Sequence, residues 1–178
     1  MKEKTQRRFD TLFYITFQDV NLEANPDNQE VTSMQLTDPK TLLQHHIDGK
    51  LWLAPPQFWE ISRMSNFTRF EDLKNFSAKR ESRGCETWLP VLKYCNNGYY
   101  SLYPGDDLYP KTPEYDSNLN TEMSSDESVH DVKFKSKNLN RMLQLGLHDY
   151  SIQVNIEDPF GHLTPQYSLT LSEEKGRK

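Results

Sequence analysis

The first patterned stretch, Phe9–Phe17, reads FDTLFYITF and is dense in aromatic and β-branched residues. Continuous apolar character over this length predicts a strand buried on both faces. The polar, proline-containing stretch from Asn21 to Gln29 predicts a loop, and Glu30–Leu36 a short strand. Thr37-Asp38-Pro39 announces a helix: a capping side chain, then a proline whose missing N–H matters little in the first turn. Leu42, Leu43, His46 and Ile47 share its apolar face, and Gly49 is placed to end it. Pro55-Pro56 starts a second helix striped by Phe58, Ile61 and Met64, expected to pack on the Phe9–Phe17 strand. Thr68 and Glu71 have the spacing of a capping box for a third helix, lined by Phe70, Leu73 and Phe76 and ended by Gly84.

Beyond Gly84 the period shortens. Trp88–Tyr94 and Tyr99–Tyr103 flank Asn97-Gly98, a strong hairpin signal, and Pro90 belongs at the start of its strand or on an edge. Residues 110–137 hold six acids and four lysines among scattered apolar residues, which predicts a long mobile polar loop. Tyr150–Ile156 alternates as a strand, Asp158–Gly161 turns the chain, and Tyr167–Leu171 offers a last strand.

Composition narrows the class. Hydrophobic residues make up 35% of the 178, below the usual range of globular chains, whereas the 12% of aromatic residues argues against disorder. A folded core with a sizeable polar fraction reconciles the two. No run approaches a membrane-spanning length, and MKEKTQRR has no apolar segment behind it, so neither a membrane span nor a secretory signal is expected. A net charge of −5 gives no overall positive field for nucleic acid. Cys85 and Cys95 make neither a metal pair nor a disulfide framework.

Taken one by one, the chemical candidates point to structure. Adjacent helical residues point about 100° apart, so His45 and His46 cannot chelate together. Asp106-Asp107 after Pro104-Gly105 could hold Mg²⁺, yet a solvated turn with a local hydrogen bond explains them more simply. Asn66-Phe67-Thr68 matches a glycosylation pattern but reads as a helix cap, and Cys85 as an ordinary thiol. Lys133, Lys135 and Lys137 make a small basic cluster of the kind that usually faces solvent.

The order of segments carries more. Arg8–Thr11 opens the aromatic strand; Glu30 and the Asp38-Pro39 helix start follow, then Leu53–Glu60 (LAPPQFWE). Further on come Glu86–Val91 (ETWLPV), Tyr103–Tyr109 (YPGDDLY) and Leu139-Asn140-Arg141. In this order the segments, from Arg8 to about Leu171, resemble the C-terminal part of Nudix hydrolases of the acyl-coenzyme A diphosphatase type. The resemblance implies an α+β chain: an incomplete α/β/α Nudix fold, with a mixed sheet and flanking helices, plus a C-terminal β-rich extension. It divides the chain into a Nudix portion at 1–84, a hairpin extension at 85–109, the polar loop at 110–137, and strands and tail at 138–178. It implies Mg²⁺- or Mn²⁺-dependent cleavage of the diphosphate in coenzyme A or acyl-coenzyme A, and a peroxisomal or mitochondrial location. Arg8, Asp10 and Glu30 are the residues it places near substrate or metal, although a local Arg8–Asp10 ion pair near the strand start is the simpler reading of those two.

The chain departs from the family pattern in two places. The catalytic signature, with its R-E-U-x-E-E-x-G-U core (U aliphatic), gathers ions with glutamates on one helical face. The one fragment resembling it, Glu173-Glu174-Lys175-Gly176, has Leu169-Thr170 where Arg-Glu belongs, so no catalytic or metal residue is assigned. The ending Gly176-Arg177-Lys178 is no peroxisomal address and leaves a cytoplasmic location open. Three readings follow: a partial product of a diphosphatase, a non-catalytic Nudix-derived module that binds a nucleotide or a partner, or a hydrolase using other residues such as Glu30 with Asp10.

Overall fold

A computed structural model describes residues 10–18, 34–113, 122–133 and 135–165. The chain divides into two units, Met1–Asp38 and Pro39–Lys178.

In the first unit the sequence expectation fails. Residues 10–18 form no strand, and Leu12, Phe13, Tyr14 and Ile15 are exposed, Tyr14 by 88%. A strand exists by lateral pairing, and the described residues of this unit offer none to pair with. Composition alone could not supply that partner. Residues 34–36, the described end of the second expected strand, are likewise exposed and irregular.

The second unit follows its local signals more closely. Helix α1 (Pro39–Ile47) begins at the proline, buries Leu43 and His46, and is followed by Gly49 at φ 70°, where a side chain would be strained. Helix α2 (Pro55–Met64) begins on the proline pair, and the Ala54 N–H donates to Gln57 Oε1 at 3.0 Å. Its buried face holds Phe58, Trp59, Ser62 and Arg63, while Ile61 and Met64 are only half-buried. Helix α3 (Phe70–Arg80) is capped at Arg69 without a side-chain hydrogen bond, so the expected Thr68–Glu71 box does not form. None of its residues is fully buried, and a 3₁₀ turn, Glu81–Arg83, carries it to Gly84.

Among the described residues five strands make one mixed sheet: β1 (Val91–Cys95), β2 (Gly98–Leu102), β3 (Glu122–Ser124), β4 (Asn140–Gln144) and β5 (Tyr150–Val154). Their spatial order is β3-β1-β2-β4-β5, antiparallel except where β3 runs parallel to β1. Pro90 directly precedes β1, as a residue without a ladder donor should. The hairpin closes on the pair Cys95↔Gly98, so its loop is Asn96-Asn97, one residue earlier than Asn97-Gly98 suggested. Gly98 is required for another reason: a Cβ there would lie 2.8 Å from the Gln144 carbonyl oxygen.

The polar stretch at 110–137 is not wholly loop. It supplies β3 and helix α4 (Val129–Lys133), which buries Val129 and Val132. Two buried valines one turn apart suffice to seat a short helix, although the surrounding charge masks them in composition. One apolar cluster joins Leu43, Phe58 and Trp59 of α1 and α2 to Met142, Tyr150 and Ile152 of the sheet. The other joins Val129 and Val132 to Val91, Tyr100, Leu102 and Leu143. Helices therefore cover both faces of an α+β unit. The last expected strand, Tyr167–Leu171, and the Glu173-Glu174 fragment lie outside the described residues.

Candidate functional site

Both aspartates after the Pro104-Gly105 turn are structural, and Asp106 is no solvated turn residue. Its carboxylate is buried and meets Arg141 through two contacts, Nε to Oδ2 at 2.5 Å and Nη2 to Oδ1 at 2.6 Å. It also accepts the backbone N–H of Leu108 and of Asn140, each at 2.9 Å. Asp107 accepts from the N–H groups of Lys137 and Asn138 and from the Asn138 amide, and these bonds hold its carboxyl below the usual range. Neither carboxylate is left to take a magnesium ion. The two aspartates fasten the turn after β2 to the segment leading into β4.

A cavity of about 270 Å³ opens beside this clamp, lined by Trp59, Arg63, Glu86, Thr87, Trp88, Pro104, Asn140, Val154, Ile156 and the chain from Asp158 to Pro165 except Gly161 and His162. Four of the segments that carried the family resemblance converge here or on the clamp: LAPPQFWE, ETWLPV, YPGDDLY and Leu139–Arg141. Trp59, Trp88 and Tyr103 form a triangle of rings, with centroids 4.7–5.6 Å apart. The Arg63 guanidinium lies 5.0 Å from the centre of the Trp88 ring, within cation–π range. It is held by Glu60 at 2.9 Å and Asp158 at 3.0 Å.

The electrostatics are those of a closed ionic group. Burial raises the Glu60 carboxyl, with Arg63 pulling the other way. Glu86 pairs with Arg80 at 3.1 Å and lies 3.3 Å from His162 Nε2. Burial, then Arg63 and Arg80, lower His162 to about 4, so at neutral pH the imidazole is uncharged. Asp158 pulls the other way without reversing this. Desolvation moves the Tyr103 hydroxyl upward.

Among the described residues, no group of three or more His, Cys, Asp or Glu side chains is placed to hold a metal ion. Glu60, Glu86 and Asp158 each face an arginine. Mg²⁺ asks for an oxygen-rich octahedral shell, and carboxylates already engaged by guanidinium groups do not fit it. His46 is the core histidine expected: Nδ1 accepts the Leu53 N–H at 3.0 Å, and its ring packs between Phe58 and Tyr150. Asn66 donates to the carbonyls of Arg63 and Thr164, a structural tie. Cys85 is exposed, and Lys135 of the basic cluster pairs with Glu127.

The structure does not assemble the residues first singled out. Asp10 is exposed in the Met1–Asp38 unit, and Arg8 and Glu30 lie outside the described residues. Sequence reasoning missed Arg63, Asp158 and His162. The available signal was an arginine one turn after a tryptophan on the same helix.

Comparison with known proteins fits this picture. Residues 1–64 match the family model described as NUDT19 Nudix domain, and residues 92–155 match NUDT19 C-terminal domain. The chain is 36% identical to "Acyl-coenzyme A diphosphatase NUDT19" of Gallus gallus over 164 residues, covering 89% of this chain and 42% of the relative. The Xenopus laevis protein of the same name is 34% identical over 172 residues, covering 97% and 44%. The Homo sapiens protein is 32% identical over 165 residues, covering 93% and 43%. The chain thus spans less than half the length of these relatives. No solved structure matches.

Proposed function

We propose, since the chain belongs to the NUDT19 family of Nudix proteins, that it is part of a hydrolase of the diphosphate bond in coenzyme A and acyl-coenzyme A. The products are 3′-phosphoadenosine 5′-phosphate and an (acyl-)4′-phosphopantetheine. The observation that carries this reading is the match along nearly the whole chain to relatives named for that activity. The family's Mg²⁺ or Mn²⁺ would neutralise the diphosphate and activate water. The residues for it are not among those described here, so this chain's described part supplies shape and substrate contact. A peroxisomal or mitochondrial location belongs to the same proposal.

The catalytic signature does not occur in these 178 residues, and the carboxylates at the clamp and around the cavity, Asp106, Glu60, Glu86 and Asp158, are taken by arginines. Losing one strong electrostatic contributor to such a reaction costs about 3–4 kcal/mol, and here the glutamate set is missing together. The purified chain, incubated with acyl-coenzyme A and Mg²⁺ or Mn²⁺, is therefore expected to give background hydrolysis only. A signature-bearing relative assayed beside it is expected to be active. Nucleotide product that scales with this chain and disappears with chelator would establish instead a hydrolase with other residues. In a fusion restoring a signature-bearing segment, Glu30→Gln is expected to lower turnover more than stability. Unchanged turnover removes Glu30 as a site residue.

A further inference from the structure

In the Met1–Asp38 unit, residues 11–16 lie in no strand, and among the described residues their backbone groups make no hydrogen bond. All six are exposed, Tyr14 by 88% and Leu12 by 61%. None is charged, and none is proline or glycine. Unpaired backbone groups beneath aromatic and β-branched side chains are a template for another strand. Short uncharged segments of this composition are also those that pair with copies of themselves.

Charge selects the partner strand. In the sequence Arg7 and Arg8 precede this stretch and Asp19 follows it. A strand that runs from positive to negative complements itself when a second copy runs the opposite way. A parallel copy in register would instead set Arg8 against Arg8 and Asp10 against Asp10, and like charges directly opposite are destabilising. The same charges fix the register. Two identical antiparallel strands meet about a two-fold axis, so one residue stands opposite its own counterpart. With Phe13 there, Arg7 falls opposite Asp19 at both ends, Phe9 opposite Phe17, and Leu12 opposite Tyr14. Centring on Leu12 would put Arg7 opposite Phe17, and centring on Tyr14 would put Asp19 opposite Phe9. Alternate residues share a face, so the Phe13 register gathers Phe9, Phe13, Ile15 and Phe17 of both copies on one side.

We propose that residues 11–16 are a self-association strand, through which this chain pairs antiparallel with a second copy of itself about Phe13. The proposal stands on the unpaired, exposed backbone and on the order of charges around it, and is independent of the diphosphatase reading. Two strands alone are marginal in water and bury little area, so the dimer is weak and builds up with concentration.

Sedimentation velocity of the full chain over a wide concentration range is expected to show a reversible shift from the 21.0 kDa monomer to twice that mass. Phe13→Lys sets two like charges opposite each other on the axis and should weaken the dimer about tenfold, through the lost apolar pair and the repulsion. Phe13 is exposed, so the circular-dichroism melt of this variant should remain that of the parent. In a Cys85→Ser background, which removes the exposed native thiol, Phe13→Cys should give a disulfide-linked dimer on mild oxidation. Thr11→Cys, set opposite Ile15 of the other copy, should give little. A monomer at every concentration, a Phe13→Lys dimer as tight as the parent's, or equal cross-linking of the two cysteine variants overturns the proposal. Growth past the dimer into open assemblies overturns it as well. The cross-linking comparison decides the matter if Phe13→Lys fails to fold.

Discussion

Replacing Asp106 by alanine removes a carboxylate that is fully buried together with its partner, Arg141. Four hydrogen bonds disappear at once: two from the guanidinium and two from the N–H groups of Leu108 and Asn140. What remains is a buried guanidinium whose other polar contact is the Ser136 hydroxyl at 2.7 Å. Breaking a buried pair from one side costs roughly 3–5 kcal/mol, chiefly because the remaining charge stays desolvated. For a chain of this size each kcal/mol lowers Tm by about 2–4 °C, so Asp106→Ala should melt roughly 6–20 °C lower. Arg141→Met should be milder, because the Asp106 carboxylate keeps its two backbone donors. The double variant Asp106→Leu with Arg141→Met should recover much of the loss by removing both charges. Circular-dichroism melts and urea titrations of the parent, Asp106→Leu, Arg141→Met and their double variant supply the cycle, with Asp106→Ala measured alongside. An Asp106→Ala melt within 2 °C of the parent, or a double variant no better than Asp106→Ala, refutes the claim that this pair fastens the turn.

Three further outcomes are expected. His162 is half-buried and neutral with its folded pKa down at about 4, so the unfolded chain binds more protons between that value and the ordinary 6.5. Stability from this group is present above 6.5 and is lost as pH falls toward 4, by at most about 3 kcal/mol. Burial raises Glu60, which contributes with the opposite sign, so the readout is the difference between His162→Gln and parent in denaturant melts at pH 5 and pH 7.5. That difference should shrink at pH 5, and a constant one would contradict the assignment. Gly98→Ala should destabilise by about 1–3 kcal/mol in urea titrations, since the new methyl meets a backbone oxygen that cannot move aside. Phe58→Ala should lower stability by about 3–5 kcal/mol, because Phe58 is fully buried among His46, Tyr150 and the α1 face; calorimetric melting checks it.

What could be read in advance followed the range of the force concerned. Helix starts at Pro39 and Pro55, the stop near Gly49 and a strand beginning after Pro90 are set by residues within one turn. They appear where the local chemistry puts them. The capping box at Thr68 failed although its residues were right, because the helix begins one residue later, at Phe70. The Phe9–Phe17 stretch failed differently: its composition suits a strand, but a strand is a property of a pair. The site was visible only as separate motifs. Nothing within LAPPQFWE or ETWLPV says that Trp59 and Trp88 lie ring to ring, since Trp59 stands on α2, Trp88 just before β1, and Tyr103, which meets both rings, just after β2.

Of the two strands missed altogether, β3 and β4, the second shows the limit most clearly. Asn140, Arg141, Met142, Leu143 and Gln144 are all buried, yet three of the five are polar and no apolar alternation announces them. Burying Arg141 is tolerable because Asp106, 35 residues earlier, meets it. Burying Gln144 is tolerable because the Ser101 and Tyr99 hydroxyls, 43 and 45 residues earlier, engage its two amide ends. Asn140 is held by the Pro104 carbonyl and the Asp106 carboxylate. Each polar side chain of this inner strand is therefore placed by a partner on or just after β2. Pairing β2 with β4 brings the partners together, and those partners in turn make the pairing affordable. Pattern reading along the chain sees one half of each such pair at a time, and that half looks like surface.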